Sequence, residues 1–510
     1  MYLSTHQWNV MIIIISGMLL RITLAGMIGL GVDESYVVSV ARSFSLSYFD
    51  HPPLHFWIIW LTTHLTGSES SMVLRLPFIA MFAATTWLMY CFAARMFGER
   101  AGVYSALILN ISPVFSLSSG SWILPDGPLM LLMMASVMVL HKIFFDPAAK
   151  LSWLWWMAAG LLVGLGMLAK YHALFLVIGS LIFILTARER RTLLFTAGPY
   201  LAVGVLCVVF LPVVIWNMEH NWISFLFQGG RGSATGIYPL KMLGNIAGQA
   251  FWVLPWIWVP LTWVLAKGVL AGPGAGLKSP CQDKQWFLCC MAVGPIFLFT
   301  IATLWGAQGL FHWQAPGYLM AIPLLGLAID GWMQRDMRIT RVWLTFSVTT
   351  FLLIVMLLGT HTANGWLRQV EPQWFKQGDP STEALDWRDL PQYLEKQGLP
   401  GSQAGFVVTA DWIDAGKTDY ILGGKLPVLC LNNEPHHFVF MHNLADFQGE
   451  NALIIGRERI ITEALPMYQM YFTTIEPVGK VPIKRAGIPE FDVVVFYAKD
   501  FTGSFPLPYK

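Results

Sequence analysis

Charge is what this 510-residue chain has least of. Only 12% of its residues are Asp, Glu, Lys or Arg, where soluble globular proteins carry about a quarter. That excludes an ordinary soluble domain. The net charge of +2 is uninformative about nucleic acid, but no long basic run occurs, so no nucleic-acid partner is expected. Cysteine is scarce as well. The six thiols (Cys91, Cys207, Cys281, Cys289, Cys290 and Cys430) show neither metal-ligand spacing nor a disulfide framework. Most lie in apolar stretches, where a thiol packs as a small hydrophobe. The N-terminal segment lacks a basic n-region and a small-residue cleavage site, so it reads as a retained span rather than a cleaved signal peptide. The internal repeats common in transporters are also missing.

What the chain has in abundance is apolar runs. Hydrophobic residues make up 55% of it, and the mean hydropathy is +0.57. A helix needs about 20 apolar residues to cross roughly 30 Å of hydrocarbon. That rule predicts eleven spans, near 9–30, 72–95, 102–118, 124–142, 153–169, 172–187, 192–216, 242–266, 285–304, 313–333 and 342–360. Leu54–Leu65 is too short to span and follows Pro52-Pro53, which suits a helix start at the interface. Ala271–Pro280, with its Gly and Pro, reads as a flexible loop. Arg95, Arg100, Arg188, Arg190, Arg191, Arg335, Arg338 and Arg341 fall in alternate connections, a bias that puts the N-terminus in the cytoplasm. After His361 the pattern turns soluble. Short β-rich runs at Gly405–Thr409, Leu426–Leu431, Ala452–Gly456 and Phe491–Ala498 alternate with helix-like stretches at Thr382–Lys396 and Arg457–Met470. The expected architecture is an all-α polytopic membrane domain over 1–361 and a small extracytoplasmic α/β domain over 362–510. Lys417 and Tyr420 look like ordinary residues of that domain's surface.

Polar residues collect at the outer ends of the expected spans. Asp33-Glu34-Ser35-Tyr36 follows the first span, and Phe49-Asp50-His51-Pro52-Pro53 lies close behind it. A solvated loop would explain a single carboxylate. Several acids, a His and a Tyr pressed against a bilayer instead suit proton abstraction, because partial desolvation raises a carboxylate's pKa. Asp126, in Pro125-Asp126-Gly127-Pro128, reads equally as a helix cap or as a second acid on the same face. Lys170, beside Tyr171 and His172, either snorkels or supplies a cation for an anionic headgroup. Asn217 belongs to a Trp-rich loop that leads to Gln228-Gly229-Gly230-Arg231, and the planar fork of an Arg suits a phosphate. His312 reads best as a satisfied interfacial His. His51, His220 and His312 are available as metal ligands with Asp or Glu, but no two have helical ligand spacing.

Asp33-Glu34-Ser35-Tyr36, then Tyr48-Phe49-Asp50-His51-Pro52-Pro53-Leu54, then Arg75-Leu76-Pro77 resemble the membrane glycosyltransferases of the protein mannosyltransferase superfamily. The likeness is to the bacterial branch with lipid A aminoarabinose transferases and rhizobial galacturonosyltransferases. Pro125-Asp126-Gly127-Pro128, Leu168-Ala169-Lys170-Tyr171, Trp216-Asn217, Phe227-Gln228 and Arg231 are similar to that branch too. The resemblance covers roughly residues 20–320, with a weaker echo in Asp379–Trp387.

The resemblance implies a GT-C-like fold and a site at the outer leaflet of a bacterial inner membrane. It implies a polyprenyl-phosphate sugar donor, undecaprenyl phosphate in a bacterium, and a glycolipid or glycan acceptor such as lipid A. By it, Asp33 would activate the acceptor, Asp126 matches the second acidic position, and Lys170 and Arg231 would hold the donor phosphate. Glu34 joins Asp33 and Asp126 among the catalytic candidates. Tyr36, Asp50, His51, Tyr171, Asn217 and His312 form a supporting or acceptor set. The resemblance leaves a divalent metal ion open, since some relatives bind one and others work without it. The rival class is a transporter or flippase for lipid-linked saccharides. Transporters usually place ionisable groups deep at midplane, and here the acids lie at span ends. Arg21 is the one charge placed well inside a span.

Overall fold

Apolar runs with no internal water to satisfy their backbone close every hydrogen bond within a helix, and the long runs do so here. In the computed structural model, which describes residues 3–150, 152–232, 236–274, 280–376, 378–399 and 404–509, six helices are long and apolar enough to cross a bilayer. They are Thr5–Met27, Ser71–Phe97, Asp126–Phe145, Ala197–Glu219, Cys281–Leu304 and Met337–Asn364. Two sharply bent pairs raise the number to eight if each pair is one span. The protein is therefore a polytopic helical membrane protein, but eleven uninterrupted long spans are not what the helices give. Residues 275–279 of the expected loop at Ala271–Pro280 lie outside the described residues.

The departures from eleven have local causes. The run expected over 102–118 becomes a 12-residue helix, Glu99–Asn110, followed by a π-helical turn, Val114–Ser119. Pro113 stands between them and cannot continue an α-helix, having no N–H to donate. Arg21 fills the resulting gap. Its Nε donates to the Ser116 carbonyl at 3.1 Å, and one terminal nitrogen donates to Ser116 Oγ at 2.8 Å and Asn110 Oδ1 at 3.2 Å. The guanidinium lies 4.3 Å from the centre of the Phe82 ring. The isolated charge of the sequence is thus a buried stitch. Pro239–Val253 and Pro255–Ala271 meet at 108°, because Leu254 takes a φ of +78° just before a proline. Gln249 and Tyr318 line this break with hydrogen bonds: Trp258 Nε1 donates to Tyr318 Oη at 2.8 Å, and Tyr318 in turn donates to Gln249 Oε1 at 2.5 Å. Tyr171–Thr186 is similarly bent by 116° against Arg188–Phe195. Trp153–Ala169 has only 17 residues.

The chain divides into two compact units. The first holds Met1–Thr23, His51–His55 and Arg75–Ile354, and the second Leu24–Asp50, Phe56–Leu74 and Val355–Lys510. In the second unit a five-stranded sheet runs in the order β2-β1-β3-β5-β4, with β1 Phe406–Thr409, β2 Val428–Cys430, β3 Ala452–Arg457, β4 Phe472–Arg485 and β5 Ile488–Phe501. β1 pairs parallel with β2 and β3, and β5 pairs antiparallel with β3 and β4. Four strands lie where the sequence places them. The fifth, β4, went unread because Pro477, Gly479, Lys480 and Pro482 interrupt it, as an edge strand tolerates.

The helix Trp412–Leu422 packs on Val32–Ala41 within the same unit. Gly416 permits this: a Cβ there would lie 2.9 Å from the Tyr36 backbone. Lys417, expected on the surface, is buried and donates to the carbonyls of Leu30 and Leu385. Tyr420 donates to the Glu69 carbonyl at 3.1 Å. Arg42 bridges Glu69 and Asp419. Segments far apart in the chain therefore build one body.

A second buried cluster anchors the sheet. Arg485 donates to Asp379 Oδ2 at 2.6 Å, Glu490 Oε1 at 2.7 Å and Ser381 Oγ at 2.6 Å, and His361 Nε2 lies 3.2 Å from Asp379. Burial works to raise the Asp379 carboxyl, but Arg485 and Ser381 outweigh it and hold it at about 2. Arg485→Met takes the guanidinium from the buried Asp379 carboxylate, while Arg368 still pairs with Glu490, and is expected to cost about 3–5 kcal/mol. The check is the melting temperature of the purified full-length protein; an unchanged value would contradict the structural role.

Candidate functional site

The first unit gathers most of the cationic candidates around one cavity. Lys170 sits in extended backbone (φ −160°, ψ 140°) just past the end of Trp153–Ala169, so its side chain leaves the helix line. Its Nζ donates to both oxygens of Asp126, at 3.0 Å each, and both residues are buried. Asp126 is the first residue of its helix and makes no cap hydrogen bond. The capping explanation therefore gives way to an ion pair. His312 feels this pair electrostatically. Burial, reinforced by Lys170 and opposed by Asp126, pushes its imidazole down to about 4, which keeps it neutral at pH 7.

A cavity of about 440 Å³ opens beside the pair. Its polar lining includes His51, Lys170, Tyr171, Gln228, Arg231 and Gln308. The Arg231 guanidinium stands 4.5 Å over the Phe227 ring, and the Arg231 carbonyl accepts the Gln308 N–H at 3.2 Å. Leu174, Phe175, Ile178, Leu298 and Phe299 form its apolar lining. Ile178 and Leu298 are 42% and 48% exposed on helices that are candidate spans. His172 stacks on Phe299 at 4.6 Å. Asn217 does not line the cavity. It is fully buried and closes a local turn, donating to the Val213 carbonyl at 2.9 Å and accepting the Phe225 N–H at 3.4 Å.

The second unit holds the acids of the first loop. Glu34 is buried, and its Oε2 accepts the Gly31 N–H at 2.7 Å, holding the start of Val32–Ala41 as the carboxylate of a capping box does. Asp33, one residue earlier, keeps an exposed side chain. Its carboxyl is pushed up to about 6, first by the protein crowded around it and then by Asp50, Glu34 and Glu383, with His436 opposing. Tyr36 donates to Asp50 Oδ2, and its hydroxyl oxygen accepts the His437 N–H at 3.1 Å. Burial and Asp50 push the Tyr36 hydroxyl well above its ordinary range. His436 Nδ1 meets the other oxygen of Asp50.

Sequence reasoning missed His436 and His437. Their signal was present: two consecutive His after Pro435, in a polar run directly following β2. Loops at the carboxyl ends of parallel strands are where α/β sheets place ligand contacts. Among the described residues, no group of three or more His, Cys, Asp or Glu is arranged to hold a metal ion.

The model of the dolichyl-phosphate-mannose-protein mannosyltransferase family matches residues 50–216. The lipid A galacturonosyltransferase RgtD of Rhizobium johnstonii is 26% identical over 293 residues, 56% of this chain and 58% of that protein. An undecaprenyl phosphate-alpha-4-amino-4-deoxy-L-arabinose arabinosyl transferase of Proteus mirabilis is 25% identical over 43% of this chain and 41% of its own. The match thus spans less than two thirds of either curated relative. The crystal structure of ArnT from Cupriavidus metallidurans bound to undecaprenyl phosphate superimposes with a TM-score of 0.63, covering 97% of this chain and 98% of that one at 14% identity. The chain is related to these bacterial membrane proteins and has the ArnT fold.

Proposed function

We propose, from this kinship and fold, that the protein transfers a sugar from an undecaprenyl-phosphate donor to lipid A or another envelope glycan at the outer face of the inner membrane. The observation that carries the reading is the amphipathic cavity. A lipid phosphate needs cations beside apolar surface, and one cavity is lined by Lys170 and Arg231 together with the exposed Ile178 and Leu298. A soluble sugar nucleotide would leave the apolar lining without a purpose.

The chemistry assigns the remaining roles. The acceptor oxygen attacks the anomeric carbon, the bond from that carbon to the phosphate oxygen breaks, and the acceptor proton passes to Asp33. A single displacement inverts the anomeric centre. Lys170 and Arg231 stabilise the charge that grows on the departing phosphate, the interaction that counts most when it strengthens in the transition state. Asp126 holds Lys170 in place. His51, Tyr171 and His312 shape the polar lining, while Tyr36 and Asp50 support Asp33. We place the N-terminus in the cytoplasm and residues 362–510 in the periplasm, joined to a membrane domain over 1–361. Eleven passes result if the short helices Glu99–Asn110 and Trp153–Ala169 and the 21-residue Ala315–Arg335 also cross, beside the six long helices and the two bent pairs.

Membranes carrying the protein are expected to move labelled sugar from an undecaprenyl-phosphate donor onto added lipid A. Failure with every donor, while lipid-linked sugar crosses the bilayer, would identify a transporter instead.

A further inference from the structure

His436 has no role in the account so far, yet its setting is unusual. It adopts a φ of +51°, a left-handed conformation uncommon for a residue other than Gly, Asn or Asp. Outliers of this kind gather at functional sites, where the surrounding structure holds them in place. The ring lies against Trp412, with centroids 4.7 Å apart, and edge-on to Tyr36 at 6.0 Å. Its Nδ1 faces Asp50 Oδ1, while Tyr36 occupies Asp50 Oδ2. Tyr36 follows Asp33 by three residues on Val32–Ala41, so the two side chains share a helix face. Four carboxylates collect here: Asp33, Glu34, Asp50 and Glu383. Asp386 accepts the Leu30 N–H and pairs with Arg388, and Lys417 caps the Leu30 carbonyl. His436 and Tyr36 each meet one oxygen of Asp50.

We propose that His436 is a positioning residue for the transfer step: through Asp50 and Tyr36 it fixes the helix that carries Asp33, and it sets its ring against the carboxylates around that acid. The C-terminal region then supplies part of the acidic site. This rests on the glycosyltransferase reading above and deepens it.

The test is transfer rate against pH for wild type, His436→Asn and His436→Asn/Asp50→Asn, each checked by melting temperature. Asn suits the left-handed backbone, and its amide reaches the place of Nδ1, so the tie to Asp50 survives while the titratable ring is lost. Without the ring, one group that opposes the cluster's negative charge is lost, and Asp33 holds its proton to higher pH. The acid limb of the profile should therefore move up by about one unit, a loss of about tenfold at the acid end with little change at alkaline pH. Removing the Asp50 charge as well should bring the limb back toward wild type. A His436→Asn protein with the wild-type profile would overturn the proposal, as would a uniform loss at every pH that the double variant does not relieve. A wild type that transfers no sugar at any pH would overturn the glycosyltransferase reading and this inference together, and the wild-type control tells the cases apart.

Discussion

Asp33→Asn is expected to lower sugar transfer by about 10²- to 10⁴-fold, the usual worth of a general base, at unchanged expression and melting temperature. Asn keeps the size of the side chain and removes only the proton acceptor, and the residue is exposed, so the fold loses little. The carboxyl is raised to about 6 by its crowded surroundings and by Asp50, Glu34 and Glu383. A base must be ionised to act. Transfer by the wild type should thus be full above neutral pH and fall as pH drops through about 6, and the residual activity of Asp33→Asn should lack that fall. Equal transfer by wild type and variant would remove Asp33 from the chemistry.

Lys170→Met should damage both stability and transfer. It strands the Asp126 carboxylate, buried and deprived of the Nζ that now binds both of its oxygens. Breaking such a pair from one side costs about 3–5 kcal/mol. The double variant Lys170→Met/Asp126→Asn removes both charges and should recover most of the melting temperature, because replacing a buried pair is far cheaper than halving it. Transfer should not recover with it, since the departing phosphate still lacks its cation. That split between stability and rate distinguishes a phosphate-binding Lys170 from a purely structural one. Recovery of transfer in the double variant would reduce Lys170 to a tie for Asp126.

Much of this was legible because its determinants are local. Apolar runs announce membrane helices by length alone, and four of the five strands were visible as short β-rich segments. Asp33, Asp126, Lys170 and Arg231 stood out as polar residues at span ends. What escaped depended on contacts between distant segments. Whether Asp126 capped its helix or met Lys170 turns on the extended backbone at Lys170, 44 residues away. Lys417 looked like an ordinary surface residue until its contacts with Leu30 and Leu385 buried it. His436 acquires meaning only beside Asp50, 386 residues earlier. The breaks at Pro113 and Pro255 were not visible in the apolar runs, since hydropathy averages over the residue that stops a helix.

The central claim is that a bond between sugar and lipid phosphate is broken. The direct measurement uses the purified protein in liposomes with labelled undecaprenyl-phosphate sugar and lipid A, counting freed undecaprenyl phosphate against sugar gained by the acceptor. One lipid phosphate released for each sugar transferred is the expected result. Sugar that crosses the bilayer still joined to its lipid, with no undecaprenyl phosphate released, would contradict the account.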